Sequence, residues 1–200
     1  MSRSRFYDAI KDVLDERGVE TPYKNGLTLY FPNTDYTYPF KCDGYMEPVV
    51  NGNKFRLIIE YKLDEILNDK SGKAKVLIQV VWYLKRFELD GKIIPDVCLV
   101  GDKNECFALH TNPLLKYLDE DVDWGTAPSQ AHLNYPEVVV KIANDADINP
   151  FVFNIDENFS FKAVAEKIQD LACNIQRYVR VSEHNMSKMF DYFCKNDLKG

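Results

Sequence analysis

A strand that is apolar on both faces admits few folds, and this chain carries one at Leu57-Ile58-Ile59, shortly after an Asn51-Gly52 pair. Asn-Gly is a strong hairpin signal, because both central residues of a type I′ turn need positive φ. Residues 55–62 therefore read as the return strand of a hairpin. Successive strand residues point to opposite faces, so three apolar residues in a row need cover on both sides of the sheet. A sheet with one face in water is excluded. Residues 73–88 supply a cover: Val76, Leu77, Val80, Val81, Leu84 and Phe87 form one wide helical stripe. Gly91 and Pro95 end it, and 97–100 reads as a strand again. Strand, crossover helix and strand in this order define an α/β class.

The remaining segments are read the same way. Phe6, Ile10, Val13 and Leu14 share a helical face, with Gly18 and Pro22 as the stop. Strands are expected at 27–31, 36–45, 106–109, 138–142 and 151–153, a short helix near 114–118, and a loop over 124–136. Apolar residues repeat at helical spacing over 161–179, and a further helix is expected from Ser182, carrying Met186, Met189, Phe190 and Phe193. The expected order of the first half is α-β-β-β-α-β, a central mixed sheet flanked by helices. Three regions follow: a core over 1–110, additional strands and loops packed on it over 111–159, and C-terminal helices over 160–200. The chain stops soon after those helices, which reads as a connector to a further domain.

Three acidic-x-Lys triplets occur, Glu60-Tyr61-Lys62, Asp90-Gly91-Lys92 and Asp197-Leu198-Lys199. Only the first ends an otherwise apolar strand. There Glu60 and Lys62 lie on one face, side by side, which a solvated ion pair at a strand end would also explain. Asp43 adds weight. If Asn51-Gly52 forms a two-residue loop, residue 50 pairs with 53, and the same register sets Asp43 opposite Glu60 with Cβ atoms about 5 Å apart. Facing carboxylates repel, and a divalent cation between them removes the repulsion. Asp43-Gly44 is also a turn signal, and Pro48 could break the pairing.

An Asp on a hairpin strand, Glu-x-Lys on the next strand and then a helix together resemble the PD-(D/E)XK nuclease core. Gln79-Val80-Val81-Trp82-Tyr83 sharpens this, since it is similar to the Gln-x-x-x-Tyr motif of the RecB-like variant. Gln79 and Tyr83 are i and i+4 on the helix and share a face. Cys42 stands where the family name has proline. The resemblance covers 1–110 and implies a restriction-endonuclease-like core with a C-terminal helical extension. It implies Asp43 and Glu60 as ligands of Mg²⁺ or Mn²⁺, with the Tyr61 carbonyl as a further ligand. Lys62 would orient or deprotonate the attacking water, Gln79 would position it, and Tyr83 would support it or touch a phosphate. Glu16 is a weaker candidate carboxylate. The implied activity is a Mg-dependent deoxyribonuclease, a restriction-type endonuclease acting on double-stranded DNA. A fused or associated methyltransferase, helicase or DNA-recognition domain would serve as partner. A repair or recombination exonuclease of the same fold, or an inactive nuclease-like domain for binding or assembly, is the alternative.

Charge bears on that substrate. The chain has 25 basic and 31 acidic residues, a net −6, so it offers no basic face on average. Residues 66–92 depart from this, with six Lys/Arg against three acids, though a basic stripe is often only a solvated helix face. The five cysteines are scattered and form no Cys-x-x-Cys pair. They support neither a disulfide framework nor a zinc ribbon nor an iron–sulfur cluster, and they fit a reducing cytoplasm. No apolar run reaches the roughly 18 residues of a membrane span. Three separated histidines and the lack of a glycine-rich phosphate loop exclude the other hydrolase signatures considered.

Overall fold

The computed structural model describes residue 9 and residues 16–63 and 67–173. The face Phe6, Ile10, Val13 and Leu14 and the helix expected from Ser182 lie outside the described residues.

The hairpin register holds. Asn51 (φ 52°) and Gly52 (φ 78°) both take the left-handed conformation, as a type I′ turn requires. They join β2 (Val49–Val50) to β3 (Asn53–Lys54), with Val50 paired to Asn53. The same register continues into β1 (Gly44–Met46) and β4 (Leu57–Tyr61), where Gly44 faces Ile59 and Met46 faces Leu57. Every residue of β4 is buried, as its double-faced apolar pattern demands. The chain then runs through α2 (Lys70–Leu89), capped by the Asp69 carboxylate accepting from the Gly72 N–H at 2.7 Å. It returns as β5 (Val97–Gly101), parallel to β4 with Glu60 beside Val100. β6 (Glu105–His110) and β7 (Phe151–Asn154) add antiparallel, giving a five-stranded mixed sheet in the order β1-β4-β5-β6-β7.

Helices cover both faces. On one lies α2, backed by α3 (Ala131–Asn134) and α4 (Pro136–Asn144), over Ile58, Cys98, Val100 and Phe107. On the other, α1 (Glu16–Tyr30) and α5 (Phe161–Cys173) pack Tyr23, Leu27, Val164 and Ile168 against Leu57, Ile59, Val97 and Leu99.

Four expectations are corrected. α1 runs through Gly18 and Pro22, and the strand expected at 27–31 is its C-terminal half. A proline inside a helix costs about 3 kcal/mol. Full burial of Tyr23 and Leu27, with Phe31 beyond them at the same i+4 spacing, offsets it at about 1.5–3 kcal/mol per side chain. Residues 36–45 do not form one strand. A 3-10 turn at Pro39–Lys41, with Phe40 (φ 56°) and Lys41 (φ 64°) left-handed, folds the run back so that Thr37 bridges Tyr45. Two sheet strands, not three, thus precede α2, with the β2–β3 ribbon between them. The strand expected at 138–142 is α4: Pro136 opens it, and Val138, Val139 and Ile142 are buried at helical spacing while Val140 is 59% exposed. The loop expected over 124–136 contains a 3-10 turn (Pro128–Gln130) and α3.

Candidate metal centre

Tyr45 exchanges both backbone hydrogen bonds with Thr37, at 2.9 and 2.8 Å. On its β4 side the Tyr45/Ile58 pair is therefore non-hydrogen-bonded, and pairs alternate along an antiparallel ladder. One step beyond the Gly44/Ile59 pair, Asp43 and Glu60 fall in the closer, non-hydrogen-bonded class. The β1 backbone leaves the ladder here, and the Asp43 carboxylate takes over its role, with Oδ2 accepting from the Tyr61 N–H at 2.7 Å. The N–H and C=O of one strand residue lie on the same side, so the Tyr61 carbonyl also faces Asp43.

Tyr36 holds this corner from the opposite face of the sheet. Its hydroxyl lies 2.8 Å from that of Tyr61 and donates to the Asp43 carbonyl at 3.2 Å. The Tyr36 phenol fills the space in which residue 44 would carry a Cβ, so glycine at 44 is what lets it approach.

Glu60 is 1% exposed. Its Oε1 accepts from Lys62 Nζ at 2.7 Å and from the Gln79 side-chain amide. Gln79 Nε2 lies 3.5 Å from the Tyr83 hydroxyl. Asp43, Glu60, Lys62, Gln79 and Tyr83 are thus one connected cluster, from the residue before β1, the end of β4 with the residue after it, and α2. Glu60 Oε2 is buried with no hydrogen-bond partner. Burial, and next the negative charge of Asp43, push the Glu60 carboxyl up to about 8, against the opposing pull of Lys62. Burial and Glu60 also raise the Tyr83 phenol and lift the Cys42 thiol to about 12.

Among the described residues no group of three or more His, Cys, Asp or Glu converges on one point. Two carboxylates, a carbonyl and waters are nonetheless an ordinary magnesium set. Two carboxyl groups coupled this closely need a proton or a hard cation between them. The donor set fits the ion. The side chain of Glu16, at the start of α1, lies outside the described residues.

The contributions of Tyr36 and Lys73 could not be read from the sequence. Lys73, in the first turn of α2, donates to the Leu67 carbonyl and pairs with Glu105 at 2.6 Å, which ties Leu67 and the start of α2 to β6. An aromatic-rich run and a basic helix were visible, but their partners are set by tertiary folding. Comparison with protein-family models, curated proteins and solved structures returns no match.

Proposed function

We propose that this chain is a metal-dependent DNA endonuclease domain with a restriction-endonuclease-like core, hydrolysing phosphodiester bonds as part of a restriction–modification enzyme. The carrying observation is Asp43 beside the buried Glu60, whose Oε1 is bonded to Lys62 and Gln79. The β1–β4 pair, the α2 crossover and the parallel β5 support the fold assignment.

Asp43, Glu60 and the Tyr61 carbonyl would hold Mg²⁺ or Mn²⁺. Bound there, the ion would supply Lewis-acid polarisation of a phosphoryl oxygen and a water of lowered pKa. Gln79 anchors Glu60 Oε1, leaving Oε2 aimed at the metal position. Lys62 carries its ammonium beside the same carboxylate, where it would orient the attacking water as a hydrogen-bond donor and neutralise charge growing on the phosphoryl oxygens, the water's proton passing to solvent. Tyr83, kept protonated by burial, supports Gln79. Duplex DNA is the proposed substrate, and an associated methyltransferase, helicase or recognition domain supplies specificity.

A plasmid-nicking assay with Mn²⁺ tests this. Wild type should nick, and Asp43→Asn, Glu60→Gln and Lys62→Ala should each lose activity by at least about 100-fold. Equal nicking by wild type and Lys62→Ala would remove Lys62 from the chemistry.

A further inference from the structure

Helix α2 carries Lys75, Gln79, Trp82 and Arg86 at i, i+4, i+7 and i+11, one stripe along the helix. Gln79 in that stripe touches Glu60, so the stripe runs past the candidate metal centre. The cations of α2 divide by position. Lys73 pairs with Glu105 and Lys85 with Glu88. Lys70 and Lys75, exposed, and Arg86, half-buried, have no carboxylate partner among the described residues, and of these only Lys75 and Arg86 lie on the stripe of Gln79. The Arg86 guanidinium lies over the Trp82 ring, 5.6 Å from its centroid. Arg86 Nε and Trp82 Nε1 are both buried donors without an acceptor, and Trp82 is only 9% exposed. Both atoms are closed to solvent and unavailable to an outside ligand; what the stacking does is hold the remaining, outer part of the Arg86 charge in place on the helix, with no carboxylate to neutralise it.

We infer that the Lys75–Arg86 stripe is a phosphate track that seats one strand of duplex DNA across the metal centre. This rests on the nuclease reading above and adds where the substrate backbone lies. Eleven residues of helix span about 16 Å, the axial length of about five nucleotides of one strand. Lys75 and Arg86 therefore bracket the phosphate at Gln79 and Glu60 from either side. Arg86 presents the outer N–H groups of its guanidinium, a fork suited to phosphate oxygens.

The test is fluorescence anisotropy of the full 200-residue chain on a labelled 30-base-pair duplex in EDTA, across a salt series. Each phosphate contact contributes about 0.9 to the slope of log K against log salt. Lys75→Gln and Arg86→Gln should each lower the slope by about that amount, and the double variant by about twice it. Lys70→Gln, the same charge change on another face of α2, should leave the slope unchanged. Arg86→Lys should keep the slope and weaken binding a few-fold, since the charge stays and the fork is lost. Equal slopes in wild type and the double variant, an equal loss in Lys70→Gln, or no duplex binding by wild type would each overturn the track. Mn²⁺ binding by wild type and Asp43→Asn is measured in parallel. Failure of the track alone leaves the two-carboxylate difference intact, whereas failure of the nuclease reading abolishes it.

Discussion

Glu60 concentrates the chemistry of the molecule into one side chain. Burial and Asp43 raise its carboxyl to about 8, so at neutral pH without metal it is mostly protonated. A cation must displace that proton. Mn²⁺ affinity should therefore climb as pH rises from 6 through 8, with release of a proton. Calorimetry in buffers of different ionisation enthalpy measures both. The same shift sets a stability trend. Because the folded-state value lies above the ordinary 4.5, the folded protein binds the proton more tightly than the unfolded chain does. Its contribution is complete below about 4.5 and is lost as pH rises through about 8. Thermal melts of metal-free wild type should fall across that window, and Glu60→Gln should remove this part of the slope. Gly44 is the other decisive residue. Gly44→Ala should push the Tyr36 phenol off the Asp43 carbonyl, weakening Mn²⁺ binding by about tenfold or more while far-UV circular dichroism stays unchanged.

Elements were legible where local chemistry decides them. The Asn51-Gly52 turn fixes a register, and a register fixes which side chains face each other, so the Asp43–Glu60 juxtaposition followed from sequence. Helix α2 was equally plain from its apolar period, although its Asp69 cap emerged only in the structure. α1 and α4 were not. Pro22 and the Val138-Val139-Val140 run are local signals against a helix, and packing of α1 against the sheet and of α4 against α2 overrides them. Thr37–Tyr45 pairing was hidden because the turn at Pro39–Lys41 needs two non-glycine residues in the left-handed region. Register remains the vulnerable point. One residue inserted between Asn51 and Gly52 should slip β1 against β4 and turn Asp43 away from Glu60. Mn²⁺ binding should disappear with secondary structure retained. Helix packing gives a separate prediction: a Cβ at Gly26 would meet the Phe161 ring at 2.8 Å. Gly26→Ala should cost about 1–3 kcal/mol in urea unfolding, and Phe161→Leu should recover part of it.

At the scale of the whole molecule, net charge and site pull in different directions. A chain of charge −6 repels DNA on average, and its few unpaired cations on α2 neutralise few phosphates. The chain alone should therefore bind duplex weakly in about 0.1 M salt, with little sequence preference, and a recognition domain would raise the local concentration of substrate. Nanomolar, sequence-selective binding by this chain alone would place recognition within it. Beneath these questions lies the claim that Asp43 and Glu60 share a divalent cation, and isothermal calorimetry with Mn²⁺ at pH 8 tests it most directly. Wild type should bind one ion per chain, and the Asp43→Asn/Glu60→Gln double variant, with an unchanged circular dichroism spectrum, should bind none. Equal affinity in the two proteins would contradict the account.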